Sequence, residues 1–322
     1  MSSSTGFAIM TFDVSVVVKT YNHANCILKC IESIYSQHTT LRIEVLICDD
    51  ASTDNTCFVI DNYVSTNTTS FSVRRIYHTI NLGHRGLMNG VNGLKSVSGR
   101  YVTILDGDDY WLDPEHIQKL FDAFSSSEQM AGVTSGHVKI RSSDGETIET
   151  CACGETSSFQ TLADLEFYPL LGASMWKRDI IFSVPDELIP YLSDTMLWHF
   201  IAKQGQCVAL PYVSLCYNIT GDGVHTRLSF FHVIESHVEL YMRLHQYEKS
   251  SQTVGQLKFW LWWAIEICGD RGDYGLLKKY SKQLVAVCEC FQPVDMKIIL
   301  KYKLLSYFPF LLSAYKKLHS RL

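Results

Sequence analysis

The chain has no apolar run long enough to cross a bilayer. Its longest such stretches, 259–268 and 304–315, fall short of the roughly 20 residues a membrane-spanning helix needs and are interrupted by Glu266 and Pro309. It has no surplus of basic charge either. Lys and Arg number 28 against 33 acids, a formal charge of −5, whereas nucleic-acid binders present clustered basic faces, so DNA and RNA are not expected partners. The first ten residues lack the basic start and apolar core of a secretory signal. Without export, Asn67 and Asn218 are not read as glycan acceptors, although each opens an Asn-x-Thr triplet. Eleven cysteines, odd in number and irregularly spaced, do not make a disulfide framework, and a reducing cytoplasmic setting is expected. The C-x-C pairs Cys151/Cys153 and Cys288/Cys290 lack the spacing of structural zinc sites, and no His pair follows them.

What the sequence does have is a regular alternation. Apolar strand patterns at 14–18, 43–48, 73–77 and 101–105 alternate with helical patterns at 24–36, around Val59, Ile60 and Tyr63, and at 83–97. This is the form of an α/β protein with a mostly parallel sheet flanked by helices. Cys26, Ile27, Cys30, Ile31 and Ile34 mark one apolar stripe on the first helix. From about Gly132 the pattern is mixed, with a strand at 133–140, a turn at 143–145 and irregular segments to Trp176. After His225 the chain turns helical, with helices expected at 228–247, 254–267, 274–291 and from 296 onward. The expected division is a leader over 1–12, a catalytic domain over 13–225 with halves 13–124 and 125–225, and a smaller helical domain over 226–322. A chain of 322 residues exceeds the roughly 250–300 residues at which a single core stops growing.

In open α/β sheets ligands bind beyond the carboxyl ends of the strands. Three such ends are polar here: Thr20-Tyr21-Asn22, Asp49-Asp50 and Asp106-Gly107-Asp108-Asp109. Three carboxylates within four positions repel unless neutralised, and an all-oxygen set favours a hard divalent cation, Mn2+ or Mg2+. Against this stands a solvated acidic turn. The run from Asp49 to Asp54 has an ordinary explanation too, with Asp50 or Ser52 capping the next helix.

Together, the segments Val16 to Asn22, Glu44 to Asp54, Asn81-Leu82-Gly83 and Gly99 to Trp111 resemble a family 2 glycosyltransferase of the GT-A fold. Order and spacing match over 13–124, and less sharply to about 225. The resemblance implies a Rossmann-like sheet, a nucleotide-sugar donor, most often a UDP-sugar, and inversion at the anomeric carbon. Carried over residue by residue, the donor would be held by Thr20, Tyr21, Asn22, Asp50 and Asp106. Tyr21 would stack on the base, Asp50 would bond its edge, and Asp106 would face the ribose or sugar. Asp108, with Asp109, would bind the metal. Arg85 reads either as a phosphate or sugar contact or as an ordinary surface arginine. Lys19 stands where the family usually carries Pro or a small residue.

Further on, Ser193-Asp194 occupies the place of the family's acidic base motif, which implies Asp194 as the catalytic base; capping the helix 195–203 is the alternative. The stretch Tyr217 to His225 resembles a loop that closes over the donor, with His225 as a further metal or phosphate ligand or as neither. The acceptor implied is a saccharide or lipid-linked saccharide of surface polysaccharide synthesis. The basic, aromatic terminus 296–322 points to peripheral contact at the inner face of the cytoplasmic membrane, or to a helix packing back on its own domain. Two rivals differ in class. A sugar-nucleotide nucleotidyltransferase would need a glycine-rich loop after the first strand, where Lys19 to His23 has none. A degenerate nucleotide- or glycan-binding module would explain Ser193, Asn218 and Thr220.

Overall fold

The apolar run at the start of the chain lies at the middle of a sheet. In the computed structural model, which describes residues 12–83, 86–160, 164–165, 167–220, 230–290, 296–309 and 312, β1 (Phe12–Thr20) has β2 (Ile43–Asp49) on one side and β4 (Gly99–Asp106) on the other, both parallel to it. A strand covered on both faces reads as continuous apolar sequence, and Val14, Val16, Val17 and Val18 are fully buried. β3 (Ser72–Tyr77) forms the outer edge beside β2. It carries Arg74 and Arg75, charges of the kind that blunt an edge against pairing with another chain.

Helices α1 (Ile27–Tyr35), α2 (Thr56–Thr66) and α3 (Leu87–Ser96) make the crossovers. The stripe of α1 is buried at Ile27, Cys30, Ile31 and Ile34. α3 approaches the sheet closely: a Cβ on Gly93 would lie 2.6 Å from Val17 Cγ1 and 3.0 Å from Cys48 Sγ.

The second half extends the same sheet. β5 (Tyr110–Trp111), α4 (His116–Ser125), β6 (Met130–Arg141), β7 (Thr147–Cys151), β8 (Ser157–Phe159), β9 (Ser174–Lys177), α5 (Asp194–Lys203) and β10 (Gln206–Ile219) follow. The order β3-β2-β1-β4-β9-β6-β10-β5 contains one antiparallel insertion, β9, between β4 and β6. The long β10 stands where the sequence pattern gives no strand, and Tyr217, Asn218 and Ile219, expected in a closing loop, are its last residues.

The chain divides into two compact units, Met1–Gly223 and Val224–Leu322. The second is helical: α6 (Phe230–Tyr247), α7 (Ser251–Arg271), α8 (Tyr274–Glu289) and α9 (Met296–Tyr307), each packed on the next. Ser250 and Thr253 form a capping box at the start of α7. Gly272, at φ 70°, ends it in the left-handed turn that glycine adopts most easily, and Asp273 caps α8. No helix among the described residues is long and apolar enough to cross a membrane.

Candidate active site

The chain runs from β1 outward to β3, then returns to place β4 on the other side of β1. That reversal opens a crevice beyond the carboxyl ends of β1 and β4. Register brings the three polar ends level: Thr20 lies opposite Asp49 and Lys19 opposite Asp106. Two main-chain bonds lock them, Asp50 N–H to Thr20 O at 2.9 Å and Gly107 N–H to Lys19 O at 2.9 Å.

Lys19 and Asp106 form an ion pair, Nζ to Oδ1 2.9 Å. Burial pulls the Lys19 ammonium toward its neutral form, yet the charges of Asp106, Asp194 and Asp108 together raise its pKa above the usual lysine value. Asp194, far away in sequence, therefore shares this crevice. The Tyr217 phenol does as well: burial raises its pKa, and Asp109, Asp106, Asp108 and Asp194 raise it further. Lys19 and Tyr217 were not among the expected site residues. A lysine inside a valine-rich strand is the available signal for the first; the second lies near the end of β10, which no sequence pattern marks.

The acids differ in surroundings. Asp106 is partly exposed. The Asp108 carboxyl is pushed up by burial and by Asp106, with His23 and Lys19 opposing; His23 Nε2 lies 3.9 Å away. Asp109 is buried, accepts the Asn218 N–H at 2.9 Å, and is raised by burial and by Asp108 and Asp106. A Cβ on Gly107 would meet His23 Nδ1 at 2.8 Å and Thr20 Cβ at 2.9 Å, so the acidic turn can press against the end of β1 only with glycine there.

Of the other expected donor residues, Tyr21 is exposed, with its ring available for stacking. Thr20 is buried and its hydroxyl has no partner. The Asn22 side-chain oxygen accepts the Thr53 N–H at 2.8 Å, and its own N–H donates to Ser52 Oγ at 2.8 Å. Asn22 and Ala51 hold positive φ, 55° and 60°, and such non-glycine outliers concentrate where function fixes the backbone. Asp50 is buried; its Oδ1 accepts the Leu82 N–H at 2.8 Å, and its carbonyl accepts the Asn81 side chain. The capping role weighed for Asp50 and Ser52 is not the one they take. α2 begins at Thr56 behind Asn55, and Ser52 bonds Asp49 instead.

At α5 the cap is Ser193, whose Oγ accepts the Met196 N–H at 3.3 Å. Asp194 stands in the first turn, where the positive end of the helix favours a carboxylate. Tyr168 OH, 2.6 Å from Thr195 Oγ1, and Trp198 Nε1, donating to Pro169 O at 3.0 Å, fix that turn. Arg85 and His225 lie outside the described residues.

Asp106 pairs with Lys19, and Asp108, Asp109 and Asp194 lie near enough for charge to act between them and that ammonium. Burial and mutual repulsion raise the pKa of Asp108 and Asp109, a negative charge left uncompensated, and the donors are hard oxygens. That chemistry fits Mn2+ or Mg2+. Among the described residues no three His, Cys, Asp or Glu side chains converge as a ligand set; a cation held by one or two carboxylates keeps positions open for other oxygens.

The sheet order, the antiparallel insertion and the acidic turn at the switch point are those of the GT-A glycosyltransferase fold. Residues 15–168 match the family described as Glycosyl transferase family 2. Over 100 residues the chain is 37% identical to an Escherichia coli UDP-Glc:α-D-GlcNAc-diphosphoundecaprenol β-1,3-glucosyltransferase, covering 31% of this chain and 36% of that one. The match takes in about a third of the length of the curated relatives. Two solved structures share the fold. One is Staphylococcus aureus TarS 1–349 in complex with UDP-GlcNAc, at TM-score 0.68 and 15% identity, covering 95% of this chain and 92% of that one. The other is a mannosyltransferase from Pyrobaculum calidifontis in complex with GDP-Man and Mn2+, at TM-score 0.55 and 16% identity, covering 97% and 88%.

Proposed function

We propose that this protein is an inverting, metal-dependent glycosyltransferase that moves a sugar from a nucleotide-sugar, a UDP-sugar in the first instance, to a saccharide or lipid-linked saccharide at the inner face of the cytoplasmic membrane. The observation that carries this reading is the Lys19–Asp106 ion pair at the switch point of the sheet, with the charges of Asp108 and Asp194 acting on the same ammonium. A donor needs two things there, a counter-charge for its diphosphate and a base on the far side of its anomeric carbon.

In this reading Tyr21 stacks on the base, Asp50 bonds its edge, and Asp106, oriented by Lys19, meets the ribose or the sugar. Asp108, backed by Asp109, would hold Mn2+ or Mg2+, which when bound neutralises charge on the departing diphosphate. Asp194 accepts the proton of the acceptor hydroxyl as its oxygen attacks the anomeric carbon from the face opposite the leaving group. That carboxylate stands in the first turn of α5, at the positive end of the helix. The undecaprenol-linked substrate in the name of the E. coli relative supports a lipid-linked acceptor.

Incubation with UDP-, GDP- and dTDP-sugars in the presence of Mn2+ tests the reading. One donor should be hydrolysed slowly without an acceptor and consumed faster with one. Tight nucleotide binding without turnover of any donor would replace the enzyme by a binding module.

A further inference from the structure

Helix α9 of the second unit has two apolar faces. Ile299, Tyr302 and Leu305 are buried along the side that runs against α8. On the other side Leu300, Leu304 and Tyr307 are 66%, 52% and 72% exposed, and Phe308, next in the chain, is 49% exposed. At about 100° per residue, Tyr307, Leu300 and Leu304 fall within one band about 60° wide. Lys303 borders that band on one side; Lys297 and Lys301 border it on the other, and all three lysines are exposed.

A helix that only packs back onto its own unit needs a polar outer face. Here the outer face is a ridge of leucine and tyrosine between two basic rows. Lys303 meets Glu289 at 2.6 Å and Lys301 lies over the Tyr302 ring, 5.1 Å from its centroid. No Asp or Glu occurs anywhere after Asp295, while Lys316, Lys317 and Arg321 follow in the sequence.

We propose that the exposed face of α9 docks on an anionic lipid bilayer, with Leu300, Leu304 and Tyr307 entering the headgroup–acyl boundary and the flanking lysines meeting lipid phosphates. Long lysine side chains reach outward to headgroups while their stems lie along apolar surface. A basic amphipathic helix binds through both contributions at once. Charge decides between this surface and a second copy of the chain. A two-fold contact through the same ridge would set lysine rows of both copies against each other, whereas an anionic bilayer supplies the opposite charge. The proposal goes beyond the glycosyl-transfer reading and does not depend on it.

Flotation of the full chain with vesicles tests it. The parent should float with mixed phosphatidylglycerol–phosphatidylcholine vesicles at low salt, be released at high salt, and ignore pure phosphatidylcholine. Each surface lysine is worth roughly fivefold in partitioning, so Lys297→Glu with Lys301→Glu should lower binding by at least about tenfold. Leu300→Ser with Leu304→Ser should do the same through lost insertion. Both pairs are exposed, and donor turnover in solution should match the parent, which separates a docking defect from a folding or catalytic one. The proposal is overturned if the parent ignores anionic vesicles, or if both variants float like the parent. A concentration-dependent dimer that the leucine variant disperses, without vesicle binding by the parent, would overturn it in favour of the second copy.

Discussion

Lys19 Nζ sits 2.9 Å from Asp106 Oδ1, across the seam where β1 and β4 part to open the crevice. The pair puts a fixed positive charge among carboxylates that otherwise repel one another. Its removal should disorganise the acidic site while leaving the apolar strands around it in place. For Lys19→Met, kcat/KM for donor turnover is expected to fall about a hundredfold, the scale seen when one preorganised charge is removed from a reacting centre. Lys19→Arg should recover part of the loss. Steady-state kinetics on the donor found by the panel check this, and a methionine variant as active as the parent would remove Lys19 from the site.

Asp108 and Asp194 occupy opposite parts of the proposed reaction, so their losses should differ in kind. Asp108→Asn should abolish the metal-dependent part of donor binding, measured by titration calorimetry with and without Mn2+. Asp194→Asn should bind donor like the parent and lose transfer by about 10²–10⁴-fold, the range of general-base catalysis. An Asp194→Asn enzyme with parental transfer would move the base elsewhere; unchanged metal dependence in Asp108→Asn would do the same for the cation site.

The first half of the sheet was legible because parallel strands in a covered sheet are written as unbroken apolar runs, and three of the four runs here end abruptly in acids or in Thr-Tyr-Asn. The second half was not. β10 contains Pro211, and its pairing with β6 shifts register between Ala209 and Val213 and again before Leu215, so neither a period of two nor a continuous run marks it. Tyr217 was misread for that reason. The approach of Asp194 to Lys19 is a product of tertiary packing, and no local pattern encodes it. Ser193 has a task the local sequence does not show: it caps α5 and frees Asp194 from doing so.

At the opposite end of the strands Glu44 ties β1, β2 and β4 together. Its carboxylate is buried and accepts from Ser15 Oγ at 2.7 Å, Gly99 N at 3.0 Å and Ser98 Oγ at 3.1 Å, with Arg74 3.1 Å away. Burial pushes its pKa up, but the bonds from Ser15 and Ser98 and the charge of Arg74 outweigh it and hold it below the usual glutamate value. Its contribution is therefore complete above the unfolded-state pKa and is lost as pH falls below it. Glu44→Leu leaves those donors unpaired and should destabilise the first unit by about 3 kcal/mol at neutral pH, read from urea unfolding. A change within about 0.5 kcal/mol, the range of an ordinary surface substitution, would contradict this account.

His116 gives the fold an acid sensitivity of separate origin. The ring is buried beside Trp111, centroids 5.1 Å apart, with Nδ1 3.4 Å from Tyr212 OH. Burial lowers its pKa to about 3, against the opposing pull of Asp113. The folded protein thus keeps His116 neutral under conditions where the unfolded chain protonates it near 6.5. Stability from this group is whole above that unfolded value and drains away as pH falls toward the folded one. Between pH 7 and pH 5 the loss is about 2 kcal/mol at 1.36 kcal/mol per unit. His116→Gln keeps a polar side chain of similar size and removes the titration. Its urea-unfolding free energy should therefore drop less than the parent's over that interval, by about 2 kcal/mol. Parallel pH profiles for the two proteins would show that His116 takes up its proton in the folded state as readily as in the unfolded one.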